Sequence, residues 1–477
     1  MEIMKLSIGF INDVHGYMEP HPELFYDYQK EYVKSAGGYA RIQTIFKKIR
    51  AENPNALLFD GGDTFHGTVP VVQSKGEVLI PILNQLGFDA MVGHWDFAYT
   101  PRHLLKLESQ LNYPVLGCNV FDEQGKRFLL PYKISEIGGL VIGIIGICSN
   151  IIDKTMPEKF SEGITVTDGI EETNQCVREL REDAVDIIIL LSHNGYPQDI
   201  ELLKKVEGID ICLSAHTHKR MYEAEKAGNC IIIQCGCHGS FVGHLKLDVE
   251  NGMITHFDYK LIETDDSLDE DVEVKDMVEK SLQSFSEMKS TVLGTTEHIL
   301  HRYSTLSSTM DDFLLSAVNF ATDVDISFSN GWRYGAPIDV GNITLWDLYK
   351  IVPMNPPIST TELTGKEIFE MLEENLERTF CAEPMKQMGG YVKRCNGLRI
   401  LMRIENPPGY RIQEIYFQGR HLQKDKVYKV AFLTEQGVPK KYGKNRTETG
   451  SNAITAMTYY LENNFNIKRS EDSFLLV

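Results

Sequence analysis

Ile187-Ile188-Ile189-Leu190-Leu191 is apolar at every position and runs directly into Ser192-His193-Asn194-Gly195. A strand with one wet face alternates apolar and polar residues, so an unbroken run of this kind fits a strand covered on both faces. The pattern recurs along the first half of the chain. Leu6-Ser7-Ile8-Gly9-Phe10-Ile11 leads to Asn12-Asp13-Val14-His15, and Ala56-Leu57-Leu58-Phe59-Asp60 leads to Gly61-Gly62-Asp63. Ala90-Met91-Val92 leads to Gly93-His94-Trp95-Asp96-Phe97, and residues 209–213 lead to Ala215-His216-Thr217-His218. Amphipathic helices fall between these runs, as over 39–50, where Ile42, Ile45, Phe46 and Ile49 share a face. A layered α/β domain is expected. Its aspartates and histidines gather at strand C-termini, where open α/β sheets place their ligands.

The chain has 477 residues, too many for one ordinary core at ~150 residues per domain. The composition shifts near Leu261. An acidic run from Thr264 to Asp271 suits a helix start, since carboxylates favour a helix N-terminus. The expected division is a first domain over 1–262, a connecting helix over 263–293 and a second domain over 294–477. In the second domain, helices are predicted over 310–321 and 365–378 and a strand over 325–329. The formal charge of −19 argues against attraction to nucleic-acid polymers or anionic membranes. An anionic small molecule would need local positive charge. The start of the chain shows no basic stretch leading into an apolar segment, and the apolar run 140–147 is too short to span a bilayer. A cytoplasmic protein is expected on that pattern.

Five Asp- and His-bearing strand ends suggest a two-metal hydrolase centre. Hydrolysis of a phosphate or sulfate ester calls for neutralising an anion and making hydroxide at neutral pH. Two divalent ions ~3.5–4 Å apart do both, lowering the pKa of bound water from ~15.7 toward ~7. Oxygen and imidazole donors suit Mn, Zn, Fe or Co. Asp13 and His15, like His216 and His218, are two apart, which on a strand puts both side chains on one side. Asp63, after two glycines that permit a tight turn, is the expected bridge.

In this order, Asp-x-His, Gly-Gly-Asp, Gly-His-Trp-Asp, Ser-His-Asn-Gly and Ala-His-Thr-His resemble the calcineurin-like metallophosphoesterase domain of the 5′-nucleotidase family. The second half continues the likeness in Phe328-Ser329-Asn330-Gly331-Trp332-Arg333, Gly341-Asn342-Ile343-Thr344, Pro353-Met354-Asn355 and Leu363-Thr364-Gly365-Lys366. The resemblance implies a four-layer αββα sandwich followed by a smaller α+β substrate-binding domain. It implies Asp13, His15, Asp63 and His218 as ligands of one metal, and Asp63, His193 and His216 as ligands of a second. His94 stands where nucleotidases place the remaining ligand, an Asn, and imidazole can serve there. Together His94, Trp95, Asp96 and Arg333 are the expected catalytic positions.

Trp95 departs from the family's Gly-Asn-His-Asp/Glu pattern. That histidine helps the leaving group depart, and an indole donates a hydrogen bond without titrating. An alkoxide gains from protonation, whereas a thiolate, of pKa ~8.5, leaves without it. The Gly-His-Trp-Asp-Phe form is similar to the thiosulfohydrolases of sulfur oxidation, as are Gln387-Met388-Gly389-Gly390-Tyr391 and Asp425-Lys426-Val427-Tyr428-Lys429-Val430. Hydrolysis of nucleotide 5′-phosphates or related phosphoesters by a dinuclear-metal-activated hydroxide is the expected function. The alternatives are a thiosulfohydrolase-like release of sulfate from a thiol-bound sulfonate on a carrier, and a turnover-deficient metal- and nucleotide-binding homologue.

Arg333 is expected to fork onto phosphate oxygens, Tyr391 to stack on a base and Tyr442 to face it. His66 stands where the family usually shows Gln and receives no role. His21, His103, His238, His244, His298 and His301 are read as structural or surface residues. Cys235-Gly236-Cys237-His238 is read as small residues in a buried strand and the turn after it.

Overall fold

The computed structural model describes residues 3–28, 30–467, 469 and 471–477, so Met1, Glu2 and Gln29 of the first expected domain and Lys468 and Ser470 of the second lie outside the described residues. The chain divides into two compact units. One comprises Met1–Glu23 and Lys34–Gln283, the other Leu24–Val33 and Ser284–Val477.

Two mixed sheets form the first unit. In one, the strand Met4–Ile11 lies between Phe241–Glu250, antiparallel to it, and Ala56–Asp60, parallel to it, with Met253–Glu263 and Ala90–Met91 at the edges. In the other, Leu140–Ile147, Ile187–Ser192, Ile211–Ser214 and Cys230–Ile233 run parallel, flanked by antiparallel Tyr132–Ile137 and Glu225–Ala227. All six residues of Ile187–Ser192 are buried, as their apolar run predicts. Helix Tyr39–Glu52 packs on the first sheet through the predicted face of Ile42, Ile45, Phe46 and Ile49. Helix Ile170–Glu182 covers the second with Cys176, Val177 and Leu180. Each such side chain contributes about 1.5–3 kcal/mol by leaving water, and truncating Ile189 to Ala in the middle of this sheet would cost about 2–5 kcal/mol.

The second unit centres on a five-stranded sheet in the order Tyr391–Asn396, Ile326–Gly331, Val427–Leu433, Pro357–Thr364, Lys444–Asn452. Helix Gly365–Phe380 opens with a capping box in which Thr364 and Glu367 satisfy each other's backbone N–H. It buries Ile368, Met371, Leu372 and Leu376 against Phe328, Leu363 and Val430. Helix Thr309–Thr322 is capped by Ser308.

The stretch expected as a connecting helix is built differently. Residues 265–270 precede the helix, and Asp271 caps Val272–Leu282 by accepting the Val274 N–H. That helix packs on Tyr39–Glu52 and Ile80–Leu86 of the first unit through Val274, Val278 and Leu282. Its apolar stripe needs a partner, and the first unit supplies one. Beyond His15, His21–Asp27 and Lys30–Ala36 pair as a two-stranded sheet. No helix among the described residues is long and apolar enough to cross a membrane.

Candidate metal centre

The five predicted strand ends converge in the first unit. Asp63, His94, His193 and His216 bring one ligand atom each within 4.8 Å of one another, as do Asp13, His15 and His218, and all seven residues are buried. Asp63 joins the two groups: its Oδ2 lies 3.3 Å from His193 Nε2 and 3.7 Å from His15 Nε2, and its Oδ1 lies 3.3 Å from His94 Nδ1. Asp13 also reaches across, with Oδ1 at 3.2 Å from His218 Nε2 and 3.7 Å from His193 Nε2. Two carboxylates among five imidazoles form the oxygen-and-nitrogen donor set that Mn, Zn, Fe or Co accept. The residues present fit divalent cations.

The backbone delivers these side chains in a way the alternation of a strand does not. Asp13 and His15 lie beyond strand Met4–Ile11, and His216 and His218 beyond Ile211–Ser214. All four have positive φ, at 52°, 51°, 73° and 55°, and Asp63 has 57°. The pleat therefore does not aim the paired residues, as the two-residue spacing suggested. Left-handed residues alternate along each turn and aim them instead. Non-glycine residues in this region are strained, and such strain concentrates at functional sites.

Supporting hydrogen bonds fix the donors. The Gly61 carbonyl lies 2.5 Å from His193 Nδ1, which leaves Nε2 to face the carboxylates. The Trp95 N–H donates to Asp63 Oδ1 at 2.7 Å, and the His216 N–H to Asp13 Oδ2 at 2.9 Å. Asp96 is fully buried and its carboxylate accepts four backbone N–H groups, from Asp63, Thr64, Phe65 and His94, at 2.9–3.1 Å. It holds the Asp63 turn against the His94 turn, which is a positioning task. Burial raises the Asp63 carboxyl, but His193 and His94 outweigh it and hold the group well below the usual carboxylate range. Burial likewise opposes ionisation of Asp13, and His218 and His193 reverse it. Burial pushes the His15 imidazole down to about 3, leaving a neutral ring with a lone pair to offer. His193 is depressed by burial but lifted to about 9 by Asp63 and Asp13.

Trp95 lies beside this cluster with its ring stacked on His66, centroids 4.5 Å apart and planes at 27°, and edge-on to Phe160. His66 is wholly buried, and burial pushes it down to about 3. Its contact with Trp95 was not legible from its position in the sequence. His238 is also fully buried, its ring centroid 6.0 Å from those of both His15 and His218. Its place immediately after Cys237 was the one local signal.

In the second unit, Arg333 and Tyr391 are neighbours. Gly331 pairs with Tyr391 across adjacent antiparallel strands. The Arg333 guanidinium donates to the Gly390 carbonyl at 3.1 Å and lies 5.2 Å from the Tyr391 ring centroid, with Arg394 at 5.4 Å from the same ring. Tyr442 packs against the apolar core of this unit, and its hydroxyl donates to Glu374 at 2.9 Å.

Residues 6–220 match the family described as calcineurin-like phosphoesterase, and residues 291–434 match the 5′-nucleotidase C-terminal domain. A trifunctional nucleotide phosphoesterase of Bacillus subtilis is 24% identical over 82% of this chain, which spans 30% of that protein's length. A sulfate thiohydrolase structure from Thermus thermophilus superposes with a TM-score of 0.91 at 23% identity, over 99% of this chain and 96% of that one. The structure of a 5′-nucleotidase precursor from Thermus thermophilus superposes at 0.88 and 21%, over 99% of both.

Fold and matched domains together define a metallophosphoesterase, a hydrolase whose catalytic domain is of the calcineurin-like class. The chain belongs to the 5′-nucleotidase family.

Proposed function

We propose that this hydrolase cleaves nucleotide 5′-phosphates or related small phosphoesters. The observation that carries the reading is the joining of two buried Asp/His clusters through Asp63. Asp13, His15, Asp63 and His218 would hold one divalent cation, and Asp63, His94, His193 and His216 a second. When bound, such ions neutralise an anionic substrate and lower the pKa of water. Asp96 keeps the Asp63 and His94 turns in register. The Gly61 carbonyl fixes the His193 ring. Arg333 and Tyr391 are assigned to substrate binding, the guanidinium for phosphate oxygens and the ring for an apolar or aromatic group. The test is metal analysis of the purified chain followed by a panel of 5′-nucleotides. Metal-loaded protein inactive on every phosphoester offered would refute it.

One observation favours a second reading. Trp95 and His66 form a stacked pair beside the metal cluster, and neither ring supplies a titrating acid near neutral pH: indole does not titrate, and burial keeps His66 neutral. A leaving group that departs as a thiolate needs no such acid. Release of sulfate from a thiol-bound sulfonate is the matching reaction, and a thiosulfonate-type substrate in the same panel separates the two.

A further inference from the structure

Glu23, Cys237 and His238 form a third group of buried ligand atoms, all within 4.8 Å of one another. Glu23 sits in strand His21–Asp27, while Cys237 and His238 occupy the turn between Cys230–Ile233 and Phe241–Glu250. Cys237 Sγ lies 3.5 Å from His238 Nδ1, and Glu23 Oε2 lies 3.6 Å from the same nitrogen. Convergence of a sulfur and a carboxylate on one ring nitrogen is unlike a Cys–His–carboxylate relay, in which the two partners occupy opposite nitrogens. It suits a shared cation. Tetrahedral zinc with Zn–S of ~2.3 Å and Zn–N or Zn–O of ~2.0–2.2 Å places sulfur and nitrogen ~3.5 Å apart and nitrogen and oxygen ~3.4 Å apart. The observed spacings are within a few tenths of an ångström of both.

The surroundings also suit such a site. Arg220 donates to Glu23 Oε1 at 2.8 Å and Ser240 to Oε2 at 2.7 Å, which orients the carboxylate as supporting groups orient metal ligands. The His238 backbone is anchored too: its N–H donates to the Asp13 carbonyl at 2.8 Å, and its carbonyl lies 2.9 Å from His21 Nε2. His238 has φ of 57°, the left-handed conformation of the other ligand turns.

We propose that Glu23, Cys237 and His238 bind a third divalent cation, distinct from the two assigned to the Asp13 and Asp63 groups. The thiol selects a thiophilic ion, Zn²⁺ ahead of Mg²⁺ or Mn²⁺. The thiolate, not the thiol, is the form in which cysteine ligates a metal. Three protein donors leave a fourth position for water. The strand and the turn, far apart in sequence, are thereby tied together at one ion.

The full chain, stripped of metal and reloaded with Co²⁺, tests this directly. A thiolate-to-cobalt charge-transfer absorption is expected, and Cys237→Ser abolishes it and lowers bound metal by one equivalent. Asp63→Ala retains the absorption, so loss of the dinuclear centre and loss of this site are read separately. Glu23→Gln, which keeps the thiol, weakens Co²⁺ binding at this site by at least about tenfold and stands in if the serine variant does not fold. Cobalt-loaded protein without a thiolate absorption, or an absorption that survives Cys237→Ser, overturns the proposal.

Discussion

The indole of Trp95 covers the imidazole of His66 face to face, with ring centroids 4.5 Å apart. This places an aromatic wall at the position where the sequence resemblance implies a proton-donating histidine. General acid catalysis is worth about 10²–10⁴-fold, so Trp95→His is expected to raise turnover of 5′-nucleotides by roughly 10²-fold with bound metal unchanged. Thiosulfonate turnover should be unaffected or fall. Steady-state rates on both substrates check this, and an unchanged nucleotide rate with metals retained counts against the leaving-group argument.

Asp63→Ala removes the carboxylate shared by both clusters. Metal content and turnover should fall together, by more than the ~10–100-fold that loss of a supporting group costs. Elemental analysis and rate are measured on one sample. Full activity would discard the assignment.

Asp96→Asn tests the positioning role. Each Asp96 oxygen accepts two backbone N–H groups, and an amide must turn its NH₂ toward two of them. A loss of about 1–3 kcal/mol in stability and of ~10–100-fold in activity is expected. Added metal should recover part of the rate, because the ligands themselves remain.

Arg333→Ala should raise KM for an anionic substrate by at least ~10-fold while metal content stays constant, since the guanidinium is assigned to substrate oxygens. A fall in kcat alone, with KM unmoved, would reassign the residue.

Burial pushes the Asp199 carboxyl from 3.8 up to about 7, against donation from Ser192 and Ser214. The folded chain keeps a proton that the unfolded chain releases near its ordinary pKa. The associated stability is complete below that value and is lost as pH rises toward about 7. Asp199→Asn should flatten this slope, seen as urea midpoints that change less between about pH 4 and pH 7.

Much of the first unit was legible because its evidence is local. Ile187–Ser192 shows its burial in five consecutive apolar residues, and the ligands announce themselves by following such runs. What depends on distant residues meeting was not legible. The helix after Asp271 joins the first unit because Val274, Val278 and Leu282 find Tyr39–Glu52 and Ile80–Leu86, a partner that no short window reveals. His66 lies beneath Trp95, and Glu23 meets His238 across most of the first unit's sequence. Val115 and Leu116 are adjacent apolar residues that form only isolated bridges, because Gly117 and the following turn cut the pairing short.

The left-handed backbone at Asp13, His15, Asp63, His216 and His218 carries one more consequence. Glycine would relieve each position and forfeit the donor, so the polypeptide sits there in a shape from which it tends to recoil, by ~1–2 kcal/mol at each residue. Whatever grips these side chains also restrains that recoil. Chelation should therefore lower the melting temperature and speed hydrogen exchange at these three turns first, ahead of the strands that lead into them.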